Sequence, residues 1–183
     1  MPPSASPLSP HWVQPSHPEL IELCLNRDPR TFESSVRSKI TLPSGAVFAK
    51  LTFPPCTFAT KKAYSTVQIS RTTHIDLNSD LYYFNHSCNP SLELDVHPDR
   101  MEVRVARTRP EGLKVGDELS FFYPSTEWEM AQPFECKCNE KTCRGRIAGA
   151  KDMGYDGLAG LFINRFIEEM LREQEATSAN YRR

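Results

Sequence analysis

The sequence lacks any apolar run long enough to cross a membrane and any excess of charge of one sign. A spanning helix needs about 20 consecutive apolar residues, so we expect no membrane insertion. With 22 basic and 23 acidic residues, the chain has no electrostatic footprint for nucleic acid, and we expect no direct nucleic-acid partner. Its 183 residues fit one domain with at most a small appendage.

The first residues, MPPSASPLSPHW, lack the basic start and apolar stretch of a secretory signal. We therefore expect an intracellular protein, nuclear or cytoplasmic, whose six cysteines are reduced thiols, metal ligands or catalytic groups. Cys136, Cys138 and Cys143 lie within eight positions, which favours a zinc site supplied mainly by one loop. A closed site needs a fourth ligand, and spacing leaves four candidates for it: Cys24, Cys56, Cys88 and His86.

Six prolines fall in residues 1–18, and because this stretch has no apolar face it is predicted to be a mobile arm. The pattern that follows predicts strands at 36–40, 46–51, 65–70, 73–77, 92–96, 101–106 and 118–123. Turn residues join the first two strands and the fifth and sixth strands, which predicts two hairpins. One apolar stripe then predicts a helix over about 157–174: Leu158, Leu161, Phe162, Phe166, Met170 and Leu171. That helix either packs on the core or forms a homodimer.

The stretch LYYFNHSCNPS at 81–91 combines aromatic side chains with Asn85, His86 and Cys88 before a proline turn. A nucleophilic role for Cys88 requires a distant histidine, because neighbours in sequence rarely point at each other. A structural turn, in which Asn85 and Asn89 bond their own backbone, is favoured over that nucleophile on chemistry alone. The third alternative is that Cys88 completes the zinc site.

Three motifs occur in order: FNHSCNP at 84–90, GDELSFFY at 116–123 and CKCNEKTCRG at 136–145. With the strand at 46–50 and the Ile75-Asp76 pair, they resemble the SET-domain methyltransferases that carry a post-SET zinc motif. The resemblance spans roughly residues 36–147 and implies a mainly β fold with a C-terminal helix, the SET-domain β-clip with its pseudoknot. The implied divisions of the chain are an arm (1–18), a SET domain (19–130), a post-SET segment (131–150) and a helix with a tail (151–183).

The resemblance implies S-adenosylmethionine (SAM) as the cofactor, in a pocket formed by Gly45, Ala46, Phe48, Asn85, His86, Tyr123 and Phe134. It implies one zinc ion held by Cys88, Cys136, Cys138 and Cys143. Tyr123 matches the family's active-site tyrosine, and Phe121 occupies the position that tunes how many methyl groups are added. The implied substrate is a lysine side chain of a protein, whose amine must be neutral and aligned with the methyl group and the sulfur.

Departures from the family pattern motivate two further hypotheses. Residues 44–46 are Ser-Gly-Ala where Gly-x-Gly is usual, Phe122 stands where Asp is usual, and Ser91 stands where Asn is usual. The second hypothesis is a SET scaffold that acts on a small molecule, since the stretch between the opening turn and Asn85 is short. The third is a non-catalytic, zinc-stapled interaction module. Binding of SAM separates this third hypothesis from the other two.

Overall fold

The computed structural model describes residues 9–25 and 34–181. In these residues the chain forms twelve short strands: β1 (Ile21–Cys24), β2 (Ser35–Ser38), β3 (Val47–Lys50), β4 (Thr57–Phe58), β5 (Val67–Gln68), β6 (His74–Asp76), β7 (Asn85–His86), β8 (Leu92–Asp95), β9 (Glu102–Val105), β10 (Ser120–Phe121), β11 (Phe134–Glu135) and β12 (Arg146–Ile147). The helices are α1 (Ala150–Leu158) and α2 (Arg165–Tyr181), with short 3-10 helices at Asp80–Tyr83 and Tyr123–Ser125. None of the helices in this described part of the chain has the length and apolarity that a bilayer crossing requires.

The strands form several small sheets rather than one large sheet. β3, β9 and β8 make one antiparallel sheet, and β4, β6 and β5 make a second. β1 with β2 and β11 with β12 are antiparallel pairs, whereas β7 and β10 pair in parallel. The hairpin predicted from residues 92–96 and 101–106 is confirmed as β8 and β9. Small sheets followed by C-terminal helices are the mainly β architecture expected of the SET-domain fold.

The hydrophobic core joins side chains from most of these sheets. Its fully enclosed members include Val36, Ile75, Leu92, Leu94, Val103 and Leu119. β8 is buried along its whole length, including its acidic residues Glu93 and Asp95. Each of these carboxylates lies beside an arginine: Arg107 at 3.7 Å from Glu93 and Arg100 at 2.5 Å from Asp95. Charge pairing therefore allows a strand with two acidic residues to occupy the centre of the fold.

The hairpin predicted between residues 36–40 and 46–51 is wrong. β2 pairs with β1 instead, and β3 pairs with β9. Gly45 has a φ of +75° and donates its N–H to the Val105 carbonyl at 3.0 Å. This turn leads β3 onto β9, where Phe48 and Val103 join one core cluster. Burial of apolar side chains across distant strands therefore outweighs the proximity of two strands in sequence.

The single helix predicted over about 157–174 is also wrong, because two helices are separated by residues 159–164. Gly160 in this break has a φ of +79°, which is not a helical conformation. Asn164 fixes the connection, because its side-chain amide donates to the carbonyls of Leu94 and Ser125. The apolar pattern continues across the break, so periodicity alone gives no sign of it.

The C-terminal helices cover Phe122, the residue that stands where the family usually has Asp. Phe122 is 2% exposed and belongs to one cluster with Leu158, Ile167 and Leu171. Leu158 and Leu171 of the predicted stripe thus pack on the chain's own core, and formation of a homodimer stays a prediction. The departure at Phe122 has a structural explanation as the apolar platform for these helices.

The predicted arm lies partly outside the described residues, since positions 1–8 are not among them. Over positions 9–18 the structure differs from the mobile arm predicted from proline content. Trp12 and Gln14 donate side-chain hydrogen bonds to Asp80, and Ser16 donates through its backbone N–H. A buried carboxylate needs donors of this kind, and no apolar pattern in the sequence signals such a polar attachment.

Candidate active site

A cleft of about 1250 Å³ lies between the β7–β10 pair and the cysteine-rich segment. Its walls include residues 63–67, 81–87, 117–118, 120–121, 123 and 130–140. The post-SET segment predicted from sequence and the Asn-His motif therefore both line the cleft. Phe121, Tyr123 and Phe134 give the cleft an aromatic lining.

The parallel pairing of β7 and β10 brings the two central motifs together. Asn85 lies opposite Ser120, and His86 lies opposite Phe121. The backbone N–H of Ser87 extends the pairing by donating to the Phe121 carbonyl at 3.1 Å. This pairing sets the side chains of the Asn-His motif beside the strand that leads into Tyr123.

Tyr123 is held by its hydroxyl, which donates to the Phe84 carbonyl at 2.9 Å. Its ring centroid lies 4.7 Å from that of Phe121 and 5.3 Å from that of His86. Burial raises the pKa of Tyr123 well above its usual value of about 10. The hydroxyl therefore stays protonated at neutral pH and acts as a donor, not as a base.

His86 connects the cleft to the cysteines. Its Nδ1 accepts the backbone N–H of Tyr123 at 3.3 Å, and its Nε2 lies 3.4 Å from Cys88 Sγ. Burial lowers the pKa of His86 to about 4, so the imidazole is neutral. With Nδ1 accepting, its proton belongs on Nε2 and points to the sulfur of Cys88. The Phe134 ring packs edge-on against the same imidazole at 5.5 Å.

Four cysteines meet at this end of the cleft. The sulfur atoms of Cys88, Cys136, Cys138 and Cys143 all lie within 4.8 Å of one another, and those of Cys88 and Cys136 are 3.9 Å apart. A tetrahedral zinc site with Zn–S bonds of about 2.3 Å places its sulfurs about 3.8 Å apart, so the cluster fits that ion. Burial raises the pKa of Cys138, but backbone N–H groups and neighbouring thiols lower it to about 7.

Cys88 is therefore the fourth thiol of the cluster. The Cys88 sulfur also accepts the backbone N–H of Arg144 at 3.3 Å, a contact suited to a thiolate. Cys56 lies apart in the core, where its thiol faces the Leu77 carbonyl and burial raises its pKa to about 11. Cys24 is a further free thiol outside the cluster.

Three of the predicted cofactor residues do not line the cleft: Gly45, Ala46 and Phe48. The N–H and carbonyl of Gly45 are already bonded to Val105 and Arg104, and the Ala46 carbonyl accepts from Val105. Phe48 is 4% exposed and packs on Phe84 in the core. The assignment of these three residues to the cofactor stays a prediction, and their polar groups and ring contact the β3–β9 sheet and the core.

Ser91, the other departure from the family pattern, ties β8 to the strand that carries the site. Its hydroxyl donates to the Glu118 carbonyl at 2.8 Å and accepts the Ser120 N–H at 2.9 Å. The Asn85 amide also reaches this region, with its Nδ2 3.3 Å from Glu118 Oε1 and 2.9 Å from the Ser34 carbonyl. Ser91 therefore links β8 to residues 118 and 120, which precede Tyr123.

Glu127 is not among the residues predicted from sequence, yet it lines the cleft four positions after Tyr123. Its N–H donates to the Tyr123 carbonyl, and its Oε1 accepts the N–H of Gln68 at 2.9 Å. Its Oε2 lies 3.8 Å from His74 Nε2, and the carboxylate is only 13% exposed. Its place four positions after the motif tyrosine was the available signal. A shielded carboxylate here suits a cationic group in the cleft.

No protein-family model matches the chain. Methyltransferase flvH of Aspergillus flavus is 47% identical over 170 residues, which are 93% of this chain and 91% of that protein. The histone-lysine N-methyltransferase ash1 of Drosophila melanogaster is 29% identical over 73 residues, or 40% of this chain and 3% of that protein. An H3 lysine-36-specific histone-lysine N-methyltransferase of Coccidioides immitis is 34% identical over 67 residues, or 37% of this chain and 6% of that protein.

Among solved structures, KRYPTONITE in complex with mCHH DNA, an H3(1–15) peptide and SAH is similar with a TM-score of 0.45 and 17% identity. The similarity covers 69% of this chain and 29% of that one. The relatives are methyltransferases, which argues against the hypothesis of a non-catalytic module. Because the match to methyltransferase flvH extends over nearly the whole of both chains and the three ordered motifs run through it, the protein belongs to the SET-domain methyltransferase family and is an enzyme.

Proposed function

We propose that the cleft binds SAM and that the enzyme transfers the methyl group to the amine of a lysine side chain in a protein. The observation that carries this proposal is the position of Tyr123. Its hydroxyl and the Phe84 carbonyl form one polar point in an aromatic cleft, and the Asn-His motif is beside it. Two of the relatives are named as histone-lysine methyltransferases, which supports a lysine acceptor.

We assign the cofactor to the end of the cleft near Asn85, His86 and Phe134. A partly exposed ring such as Phe134 can stack on a purine, and His86 holds that ring edge-on. The bound SAM supplies a methyl group already activated by its sulfonium. The chain has to hold the acceptor amine in line with that methyl group and keep water out.

Tyr123 and Phe121 are the residues we assign to the transfer step. The Tyr123 hydroxyl oxygen and the Phe84 carbonyl can hold a polarised methyl group through weak C–H···O contacts. Transfer would form the new N–C bond from the lone pair of the amine and leave the C–S electron pair on sulfur, and the methylated ammonium would lose its proton to solvent after it leaves the cleft. The Phe121 ring lowers the pKa of the entering lysine by desolvation, so more of the amine is neutral.

The charge of the cleft supports a cationic acceptor. Carboxylates outnumber cationic side chains in the lining: the acids are Asp117, Glu118, Glu127, Glu135 and Glu140, and the bases are Arg109 and Lys137. Arg109 is partly neutralised, because it lies 3.3 Å from Asp117. A lysine ammonium therefore gains favourable electrostatic attraction on entering and loses its proton deeper, near the aromatic rings.

We further propose that Cys88, Cys136, Cys138 and Cys143 hold one structural zinc ion. The fit of their sulfur atoms to a tetrahedral site supports this assignment. A site of four thiolates has no open position for catalysis, so its role is to fasten the post-SET wall to the Asn-His segment. Free thiols of this kind need a reducing compartment, which supports the intracellular location, nuclear or cytoplasmic.

A small-molecule amine is the second proposed acceptor. Methyltransferase flvH matches nearly the whole chain, and its name specifies no protein substrate. The histone-lysine enzymes match 40% and 37% of the chain. Both acceptors share the chemistry of a neutral amine held near Tyr123, so a direct comparison of substrates decides between them.

The first test is calorimetric titration of the zinc-loaded protein with SAM. We expect saturable binding that Asn85→Ala weakens at least tenfold. Gln174→Ala is the control, because its amide donates a hydrogen bond to the Lys151 carbonyl at 3.0 Å, outside the cleft lining. Absence of SAM binding by folded protein refutes the proposal.

The second test follows a radiolabelled methyl group from SAM to recombinant histone H3 and to a panel of free primary amines that includes L-lysine methyl ester. Transfer to histone H3 supports the protein acceptor. Transfer to a free amine alone supports the second candidate. Binding of SAM without transfer to any of these probes contradicts both acceptor assignments while leaving the cofactor assignment in place.

A further inference from the structure

One rim of the cleft is formed by the N-terminal segment, which we define as residues 9–17. Ser9, Pro10 and Gln14 are part of the cleft lining. These residues precede every motif of the family resemblance, and none of the residues assigned above to catalysis, cofactor or metal lies among them. No catalytic, cofactor-binding or metal-binding role is therefore assigned to the N-terminal segment.

A buried carboxylate locks the N-terminal segment in place. Asp80 is 0% exposed, and its Oδ1 accepts from Trp12 Nε1 and from Gln14 Nε2, both at 2.8 Å. Its Oδ2 accepts the Ser16 N–H at 2.5 Å, and its own N–H donates to Ser16 Oγ at 2.7 Å. A buried carboxylate without donors is costly, so these bonds favour one fixed arrangement of the segment over a mobile one.

The locked segment is close to the proposed transfer point. The Trp12 ring packs edge-on against Tyr82 and Tyr83, with centroid distances of 5.9 and 6.3 Å. Gln14 Nε2 lies 3.4 Å from the Tyr83 hydroxyl. The next residue along the chain is Phe84, whose carbonyl holds Tyr123.

The composition of the segment excludes one obvious role. Its sequence, SPHWVQPSH, contains no lysine, so it cannot occupy the transfer point as a mimic of a lysine substrate. It instead presents the Gln14 side chain and the Pro10 ring to the cleft. Such a surface suits contact with the uncharged body that carries an acceptor amine, while the carboxylates elsewhere in the cleft attract its charge.

We propose that the N-terminal segment is a fixed wall of the acceptor part of the cleft and that Gln14 is a specificity-determining residue that contacts the body of the acceptor. This inference rests on the proposed function, since it assumes an amine acceptor beside Tyr123. Asp80 and Trp12 are positioning residues, because they act on the acceptor only through the location of Gln14 and Tyr83.

The test compares Gln14→Ala with Val13→Ala under saturating SAM, on whichever of histone H3 or L-lysine methyl ester the wild-type enzyme methylates. Val13 is the matched control, because it is the neighbouring residue, is 88% exposed and is not part of the cleft lining. We expect the KM for the acceptor to rise about tenfold in Gln14→Ala, with kcat and the Kd for SAH within about twofold of wild type. Val13→Ala should leave all three values unchanged.

Trp12→Phe provides a second variant, which keeps an aromatic ring but removes the donor to Asp80. It should raise the acceptor KM in the same direction as Gln14→Ala. Equal KM values for the Gln14 and Val13 variants overturn the inference. A parallel fall in kcat, SAH affinity and thermal stability of Gln14→Ala also overturns it, because such a fall indicates a purely structural role. Higher activity after substitution also overturns it. Failure of the wild-type enzyme to methylate either acceptor contradicts the acceptor assignments of the proposed function, on which this inference rests.

Discussion

Removal of the proposed zinc ion should weaken binding at the proposed cofactor site while leaving the core folded. None of residues 131–146 is buried, so this stretch has little apolar contact of its own to hold it on the cleft. Apart from the thiol cluster, its attachments include a 3.3 Å hydrogen bond from Asn89 to Glu140 and the packing of Phe134 on His86. Each such bond contributes about 1 kcal/mol, whereas structural zinc contributes about 10–16 kcal/mol in small domains.

The size of the effect on SAH binding follows from Phe134. Burying a phenylalanine side chain contributes about 1.5–3 kcal/mol. Its release from the cleft therefore weakens SAH binding by about 10- to 100-fold, at 1.36 kcal/mol for each factor of ten. The main hydrophobic core contains no residue of the 131–146 stretch, so the metal-free protein should still show a cooperative unfolding transition of this core.

The assay is calorimetry with SAH before chelation, after dialysis against 1,10-phenanthroline, and after zinc is restored. Cys143→Ser should reproduce the chelated state. Cys24→Ser is the control, because Cys24 is a partly buried cysteine outside the cluster. An unchanged Kd for SAH in metal-free protein refutes the reasoning, as does a protein that binds no zinc with all four thiols reduced.

Three further predictions concern the cleft and its rim. Tyr123→Phe should lower kcat about 100- to 1000-fold and leave the Phe84 carbonyl without its donor, at a cost of about 1–3 kcal/mol in the free energy of unfolding. Phe121→Tyr should shift the product towards fewer methyl groups, because a hydroxyl can hold a water where a methylated amine would fit, and mass spectrometry of the product reports the change. Burial raises the pKa of Asp80, but the hydrogen bonds from the N-terminal segment hold that pKa below its usual value. The contribution of Asp80 to stability is therefore present above about pH 5 and is lost as pH falls through the lowered pKa. Thermal melts across pH should show this loss.

Each of these predictions has an outcome that contradicts it. Wild-type kcat in Tyr123→Phe excludes a role in transfer, and a weakened Kd for SAH in that variant indicates a general disturbance of the cleft. Products that never pass monomethylation, together with no change in Phe121→Tyr, exclude the assigned role of Phe121. In the Asp80→Asn variant the acid-dependent loss should diminish; an unchanged pH profile assigns it to other carboxylates.

Short-range patterns predicted the strands in which apolar and polar residues alternate regularly. The hairpin at 92–96 and 101–106 follows directly from its period of two, and the structure confirms it as β8 and β9. The association of the four thiols is likewise confirmed, although spacing alone left the fourth member open. The resemblance to the SET-domain family was what selected Cys88, because its partners lie far along the chain.

Other features depend on contacts that a linear pattern does not encode. The partner of β3 is chosen by burial against β9, and the helical break at Gly160 lies inside a continuous apolar pattern. Phe122 departs from the family motif because the terminal helices need an apolar platform. The attachment of Gln14 to Asp80 is polar, and polar attachments have no periodicity. The rim of the cleft could therefore not be predicted from the sequence, whereas the motifs at its centre could.

The parallel pairing of β7 with β10 has a consequence for the order of synthesis. A ribosome adds residues from the N-terminus at about 5–20 per second, so β7 emerges with no strand to pair with until residues 120–121 follow. Cys88 lacks its last partner for longer, because Cys143 is synthesised 55 positions later. For several seconds the nascent chain presents a bare strand edge and a lone thiol. The catalytic cleft is therefore among the last parts of the protein to form, after the β8–β9 hairpin is already complete.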